Sequence, residues 1–322
     1  MEIVKPFVKK IDLSNDKKIE YAGRLCYKSA DKITENSYEK FITNIIKSGH
    51  ESVIEHGIIY CILTFQYPLD SEEELSFLSA MMDVKYLVVD YIPVGETCKY
   101  IISGNIRAWR EFYHYIFGEY EYDSLVRLLE ERFPLYFYEY RDVNLESFSD
   151  PIENIILCDT YEEFESNIPL MYQCNKPMLE KHRFVTFHYR TDRATSHQLV
   201  RHRPCSFSQQ SQRYCNYTKE KFGNNIQFIV PIDFPVCNEE AFNLWKEKRK
   251  YDEEEYFKNI IVYNMKPEIA RNCLPNCAST EIIITASIQQ WKRIFKERCN
   301  QRAQADIRYL MEETKNQLII GG

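Results

Sequence analysis

The residues best equipped for chemistry lie in one run, His197-Gln198-Leu199-Val200-Arg201-His202-Arg203, continuing as Pro204-Cys205-Ser206-Phe207-Ser208-Gln209-Gln210-Ser211-Gln212-Arg213-Tyr214. Arg201, Arg203 and Arg213 are planar, permanently charged forks that match phosphate oxygens. On a helix turning about 100° per residue, Ala194, His197, Gln198, Arg201 and His202 share a face, while Leu199, Val200 and Arg203 turn away. That face gathers donors beside a small residue that leaves room for a ligand. After Pro204 follows a polar loop dense in hydrogen-bonding side chains. Residue chemistry alone leaves two readings open: an anion site, or a solvated helix end with an exposed loop.

A second segment, Gly49-His50-Glu51-Ser52-Val53-Ile54-Glu55-His56, invites a metal reading. HExxH would need a second His where Ile54 stands, and the inverted HxxEH would need a first His where Ser52 stands. Both fail, and we expect no metal; a satisfied polar helix terminus is the other reading. A third candidate is Arg298. In a helix expected from about 280 to 298, Ile284, Ile288, Trp291 and Phe295 form an apolar stripe on which Arg298 also falls. A guanidinium drawn toward a core needs an anion or a polar ligand; an internal carboxylate would serve as well. Cys205 is the obvious thiol for nucleophilic attack, but nothing near it supplies a paired His base of the Cys-His type, and it reads as a small packing residue.

Arg201-His202-Arg203, seven residues and then Ser211 resembles the RHR-x7-S signature of flavin-dependent thymidylate synthases, the ThyX family, and the surrounding run is similar almost position by position. Gly49-His50-Glu51-Ser52…Glu55-His56 resembles that family's GHES-x-x-EH segment, and Arg24-Leu25-Cys26-Tyr27 its early helix. Ala270-Arg271 with Leu274-Pro275, then Arg298 with Ala303-Gln304, resembles its C-terminal pattern. The resemblance covers roughly residues 15 to 66 and 183 to 310.

It implies a methyltransferase that converts dUMP to dTMP, with FAD as cofactor, NADPH as reductant and 5,10-methylenetetrahydrofolate as carbon donor. Gln198, Arg201, Gln209, Ser211, Arg213, Arg271 and Arg298 would hold dUMP. Arg298 would be catalytic, stabilising charge on the uracil N3–C4–O4 edge in place of a Cys nucleophile. His50, Ser52, Arg201, His202, Arg203 and Gln209 would hold FAD, which has no Rossmann fingerprint to bind it. Ser287, Gln289 and Arg293 match further flavin positions but depart from the family's Asn or Arg there, and Gln209 stands where many relatives have Glu. A homotetramer with active sites at subunit interfaces is implied as well.

These residues need elements to position them. Helices are expected over Lys17 to Cys26 and Tyr38 to Lys47, the second closed by Gly49. A β-rich run covers 57 to 67, ended by Pro68. Further helices are expected at Glu72 to Met82, Gly104 to Phe117 and Asp123 to Phe133. Residues 146 to 165 read as an acidic surface segment. Residues 183 to 190 alternate as a strand, Val185, Phe187 and Tyr189 on one face and Thr186, His188 and Arg190 on the other. A helix starts after Thr191-Asp192 and runs through Arg203; another spans 239 to 266. The fold class is α+β: a ThyX-like mixed core, an antiparallel sheet with flanking helices. The chain reads as one catalytic domain, 1–322, with an inserted segment at about 67–182.

Composition agrees. With 322 residues, 44% of them hydrophobic, the chain can bury a sizeable core. A net charge of -7 argues against nucleic acid as partner and makes any anion site a local concentration of Arg. Eleven scattered cysteines without a CxxC pair read as reduced thiols in a cytoplasmic protein. No apolar run is long enough to span a membrane.

Overall fold

The computed structural model describes residues 1–66, 72–117, 123–143 and 152–320. The chain opens with β1 (Glu2–Ile3), β2 (Phe7–Ile11), α1 (Asn15–Cys26), α2 (Ser37–Lys47), a 3-10 turn (Glu51–His56) and β3 (Ile58–Gln66). Next come α3 (Glu72–Asp83), β4 (Leu87–Val94), β5 (Thr97–Asn105), α4 (Ile106–Ile116), α5 (Asp123–Arg132), β6 (Asn154–Cys158), α6 (Tyr161–Asn167), α7 (Leu170–Gln173) and α8 (Lys176–His182). The last part holds β7 (Phe184–Asp192), α9 (Arg193–Leu199), β8 (Ser206–Gln209), β9 (Gln227–Phe228) and α10 (Glu239–Ile261). It ends with α11 (Pro267–Ala270), β10 (Ser279–Ser287), α12 (Ile288–Arg298) and α13 (Ala305–Ile320).

Two antiparallel four-stranded sheets organise the chain. The first has the order β2-β7-β10-β8. The alternation expected in β7 is present: Phe187 and Tyr189 pack with Ile282, Ile284, Trp291 and Leu310 under α9, α12 and α13. The opposite face carries polar side chains toward α1 and the 3-10 turn, where Tyr21 bonds His188 Nδ1 at 2.8 Å and His188 Nε2 meets Glu281 at 3.1 Å. Apolar residues on one side and polar ones on the other are what a period-2 pattern delivers.

The second sheet runs β4-β5-β3-β6. β3 is apolar almost throughout because both its faces are covered. Ile59, Cys61, Leu63 and Phe65 join the layer of α3, α4 and α5, while Ile58, Tyr60 and Ile62 pack under α6 and α8. The β4–β5 hairpin turns at Gly95, whose φ of +64° at the first turn position is open to glycine without strain. Asn15 fastens the two halves: its Oδ1 accepts from Ile58 N at 3.0 Å and its Nδ2 donates to Ile58 O at 2.7 Å.

Several expected boundaries move. The helix expected from 280 is β10 up to Ser287 and helix only from Ile288, so Ile284 reaches the core from a strand. The Ile282-Ile283-Ile284-Thr285 run is β-branched and pairs on both edges, which overrides its helical spacing. The helix begun at Asp192, whose Oδ1 caps Thr195 N at 2.8 Å, stops at Leu199 rather than Arg203. The expected helix from Gly104 starts at Ile106, because Gly104 and Asn105 finish β5. The acidic stretch 146–165 contains β6, with Leu157 and Cys158 buried. Residues 146 to 151 of it, and Pro68, lie outside the described residues. Gly49 does close α2, with φ +70° and its N–H on Ile46 O at 3.0 Å. Among the described residues no helix is long and apolar enough to cross a membrane.

Candidate active site

The run 206–211 is not an exposed loop. β8 forms an edge of the first sheet, and Ser206, Ser208, Gln210 and Gln212 are buried. Gln209 is half-buried and donates from Nε2 to Ser196 Oγ at 2.9 Å and Thr280 Oγ1 at 3.2 Å. With α9 ending at Leu199, Arg201 and His202 do not share a helix face: Arg201 and Arg203 are exposed, and His202 is buried.

His202 meets Arg298 at the end of α12. Arg298 Nε donates to His202 Nε2 at 3.1 Å. An accepting Nε2 places the ring proton on Nδ1, which lies 3.6 Å from Glu297 Oε2. Burial first, and then the Arg298 charge, lower the His202 pKa, so the ring is neutral near pH 7. Beside this pair, Gln198 donates from Nε2 to Gln304 Oε1 at 2.7 Å. Arg298 forms no ion pair among the described residues; the carboxylate next to it faces His202 instead.

A second group surrounds the end of α1. Ser211 N donates to Cys26 O at 2.9 Å, and Ser211 Oγ accepts from Arg213 N at 3.3 Å. Arg213 is exposed and pairs with Glu268 at 3.0 Å, its guanidinium 5.3 Å from the Tyr214 ring centre. Arg271 is half-buried just after α11. Arg193, which sequence reading missed, is close enough for the two like charges to repel: burial first, then Arg271, lower its pKa against the opposing Tyr217. Neither guanidinium forms an ion pair among the described residues, so no carboxylate there offsets their mutual repulsion. The missed signal was position: Arg193 directly follows the capping Asp192 and opens the helix that carries Gln198.

The remaining candidates are not drawn into these groups. His50 and Ser52 are exposed at the start of the 3-10 turn, which is held to β8 by Ser206 Oγ donating to Glu55 O at 2.9 Å. Ser287 caps α12 by accepting from Gln290 N at 3.3 Å, and Gln289 and Arg293 are exposed on that helix. Since α12 has 11 residues and is therefore ~16 Å long, Ser287 and Arg298 stand at opposite ends. Cys205 is buried, hydrogen-bonded by Gln290, and its thiol is pushed up to about 12 by burial. It has no thiolate character to offer at neutral pH.

His56 closes the 3-10 turn with no solvent exposure. Its Nδ1 meets Thr285 Oγ1 at 2.8 Å, Thr285 meets Thr186 at 2.7 Å, and Nε2 has no hydrogen-bond partner among the described residues. Burial, and then the Lys18 charge, lower its pKa from 6.5 to about 3. Below pH 6.5 the unfolded chain therefore takes up a proton that the folded chain refuses, and stability falls as pH falls. Between pH 7 and pH 5 this one group should remove ~2 kcal/mol. Half-buried Asp16 and Glu55, with pKa values raised by burial, act in the opposite sense, so the readout is a difference. Urea unfolding of His56→Gln should show a pH dependence shallower by about that amount; equal slopes would sink the assignment.

The family model described as thymidylate synthase complementing protein matches residues 10–65 and 175–319. A flavin-dependent thymidylate synthase of Geobacter sulfurreducens is 36% identical over 121 residues, 38% of this chain and 50% of that protein. One from Pyrococcus furiosus is 31% identical over 147 residues, 45% of this chain and 59% of that protein. The chain thus spans about half the length of the curated relatives it matches. A solved UMP/dUMP methylase, PolB from Streptomyces cacaoi bound with 5-Br dUMP, aligns over 99% of this chain and 93% of that one, at 13% identity and a TM-score of 0.40.

Proposed function

The chain belongs to the thymidylate synthase complementing protein family, and on that premise we propose that it is a flavin-dependent thymidylate synthase, a methyltransferase that reductively methylates dUMP to dTMP. The observation that carries the reading is Arg298: a cation oriented by a neutral His202 and without a carboxylate partner among the described residues. Such a group stabilises negative charge developing on the uracil N3–C4–O4 edge without prior neutralisation. His202, accepting at Nε2, keeps the guanidinium plane fixed; a protonated His202 would repel it.

Gln198, Gln209, Ser211, Arg213 and Arg271, to which we add Arg193, would hold dUMP by phosphate, sugar and base. The unpaired Arg193 and Arg271 suit its phosphate, and holding the ring in place makes the reaction effectively intramolecular. To FAD we assign Arg201 and Arg203, exposed cations without carboxylate partners among the described residues and matched to a pyrophosphate, together with exposed His50 and Ser52. When bound, the flavin supplies hydride, with NADPH as its reductant and 5,10-methylenetetrahydrofolate as carbon donor. Ser287 and Gln289 at the start of α12, with Arg293 at its middle, would complete a flavin site in a homotetramer with shared active sites. The whole chain would act as one catalytic domain, with residues from about 67 to 182 as its inserted segment, in the cytoplasm.

The test is the visible spectrum of FAD-incubated protein after gel filtration. A retained flavin band that shifts on adding dUMP supports the reading. A colourless protein that binds no dUMP turns it into a family member without the activity. Within the same reading, Cys205→Ala should keep substantial tritium release from C5-labelled dUMP, because a thiol held at about 12 is no nucleophile. A folded, flavin-loaded but inactive variant would restore the thiolate route.

A further inference from the structure

Away from these residues, a cavity of about 420 Å³ lies where α1, β2, the start of β7 and the β6–α6 connection meet. Its walls hold Lys10, Lys18 and Arg183 together with Asp12, Asp159 and Glu162. Among the described residues none of these six forms an ion pair. The half-buried Lys18 donates from Nζ to Asn15 Oδ1 at a long 3.3 Å. Arg183 rests its guanidinium 5.4 Å from the Tyr161 ring centre. Asp12, Asp159 and Glu162 are exposed at the mouth and hydrated there, whereas Lys10, Lys18 and Arg183 are half-buried, so the partly desolvated charge in the cavity is positive and favours an anionic ligand. Burial lowers the Lys18 pKa to about 8 against the opposing charge of Asp12, so about a tenth of it is free amine at pH 7. A fully paired lysine would offer almost none.

We propose that this cavity is a second small-molecule site, in which the Lys18 amine condenses with the carbonyl carbon of a small 2-oxo acid whose carboxylate is held by Arg183. The Lys18 nitrogen forms a bond to the carbonyl carbon, giving a carbinolamine. The carbonyl oxygen then leaves as water, taking the two hydrogens that the amine loses, and the imine remains; nothing is oxidised or reduced. Asp12 is the carboxylate electrostatically nearest to Lys18 and would carry the proton between nitrogen and departing oxygen. The charged and titratable groups around Lys18 are Asp12 and Lys10 from the β2 side, His56 from the 3-10 turn, Tyr60 from β3, Asp159, Tyr161 and Glu162 from the β6–α6 side, and Arg183 just before β7. The site does not depend on the thymidylate reading and shares no residue with it.

The test uses the whole chain, glyoxylate as probe and cyanoborohydride to trap the imine, followed by peptide mass mapping between pH 6 and 9. Exposed Lys17 is the internal control. Lys18 should be modified at least tenfold faster than Lys17, with a rate that rises through a midpoint near pH 8. Arg183→Gln, checked for native circular dichroism, should slow glyoxylate several-fold and leave acetaldehyde, which has no carboxylate, unchanged. Modification of Lys18 no faster than that of Lys17 would overturn the site. Equal loss with both aldehydes in Arg183→Gln would overturn the carboxylate-binding role. Lys18→Gln should leave the flavin spectrum and its dUMP response intact, so failure here and failure of the synthase reading are told apart.

Discussion

Replacing Arg298 with alanine is expected to lower dUMP turnover ~10- to 100-fold while flavin stays bound. A hydrogen bond to a developing charge is worth about 1.5–3 kcal/mol, and that span converts to this range of rates. The loss should fall on kcat rather than KM, because the interaction strengthens only as charge appears on the ring. Arg298→Lys keeps the charge but not the planar fork or the Nε–H on His202, and should recover only part of the rate. A second readout needs no turnover. The Arg298 charge is one of the causes that lower the His202 pKa, so removing it should raise that pKa, visible by NMR titration of the imidazole. Tritium release from C5-labelled dUMP reports the rate. Undiminished release together with an unmoved His202 would take Arg298 out of the mechanism.

What the sequence made legible followed the strength of local pattern. β7 was readable because strict alternation assigns Phe187 and Tyr189 to the core and His188 to the polar face. The Arg298–His202 meeting was not: it joins residues 96 apart through two helix ends, and nothing local encodes it. β8 was misread because Ser, Gln and Phe in alternation look like a solvated loop. Its backbone pairs with β10 and its polar side chains are buried, so tertiary context overrides propensity. The β4–β5 hairpin was missed although Gly95 marks its turn, because Lys99 and Asp90 interrupt the apolar pattern. Asp90 is there for a tertiary reason: its carboxylate meets Lys181 at 2.7 Å and His182 at 3.1 Å, tying the second sheet to the entry of β7. His56 was read only as part of a motif. That it is fully buried, with one nitrogen unpartnered among the described residues, depends on the packing of β8 and β10 over the 3-10 turn.

The position of Arg298 rests on Trp291, and Trp291→Ala should cost ~3–5 kcal/mol, the range for removing a fully buried tryptophan. The indole has no solvent exposure. It stands edge-on to Phe187 at 5.3 Å, lies nearly parallel to Phe295 at 6.1 Å, and donates from Nε1 to Val185 O at 3.1 Å. Alanine leaves a cavity and removes a hydrogen-bond donor from that carbonyl in one step. Trp291→Phe keeps most of the volume and loses the N–H with part of the fused ring, so ~1–2 kcal/mol is expected. Urea unfolding measures both. Trp291 and Arg298 are seven residues apart on α12, so two turns of helix carry any shift of the indole to the guanidinium. A Trp291→Phe variant that is nearly as stable as the parent but slower with dUMP would therefore mean that the sheet places the cation as well as holding the fold. If the alanine variant loses less than ~1 kcal/mol, α12 is held by contacts other than this indole, and its role in aiming Arg298 fails with it.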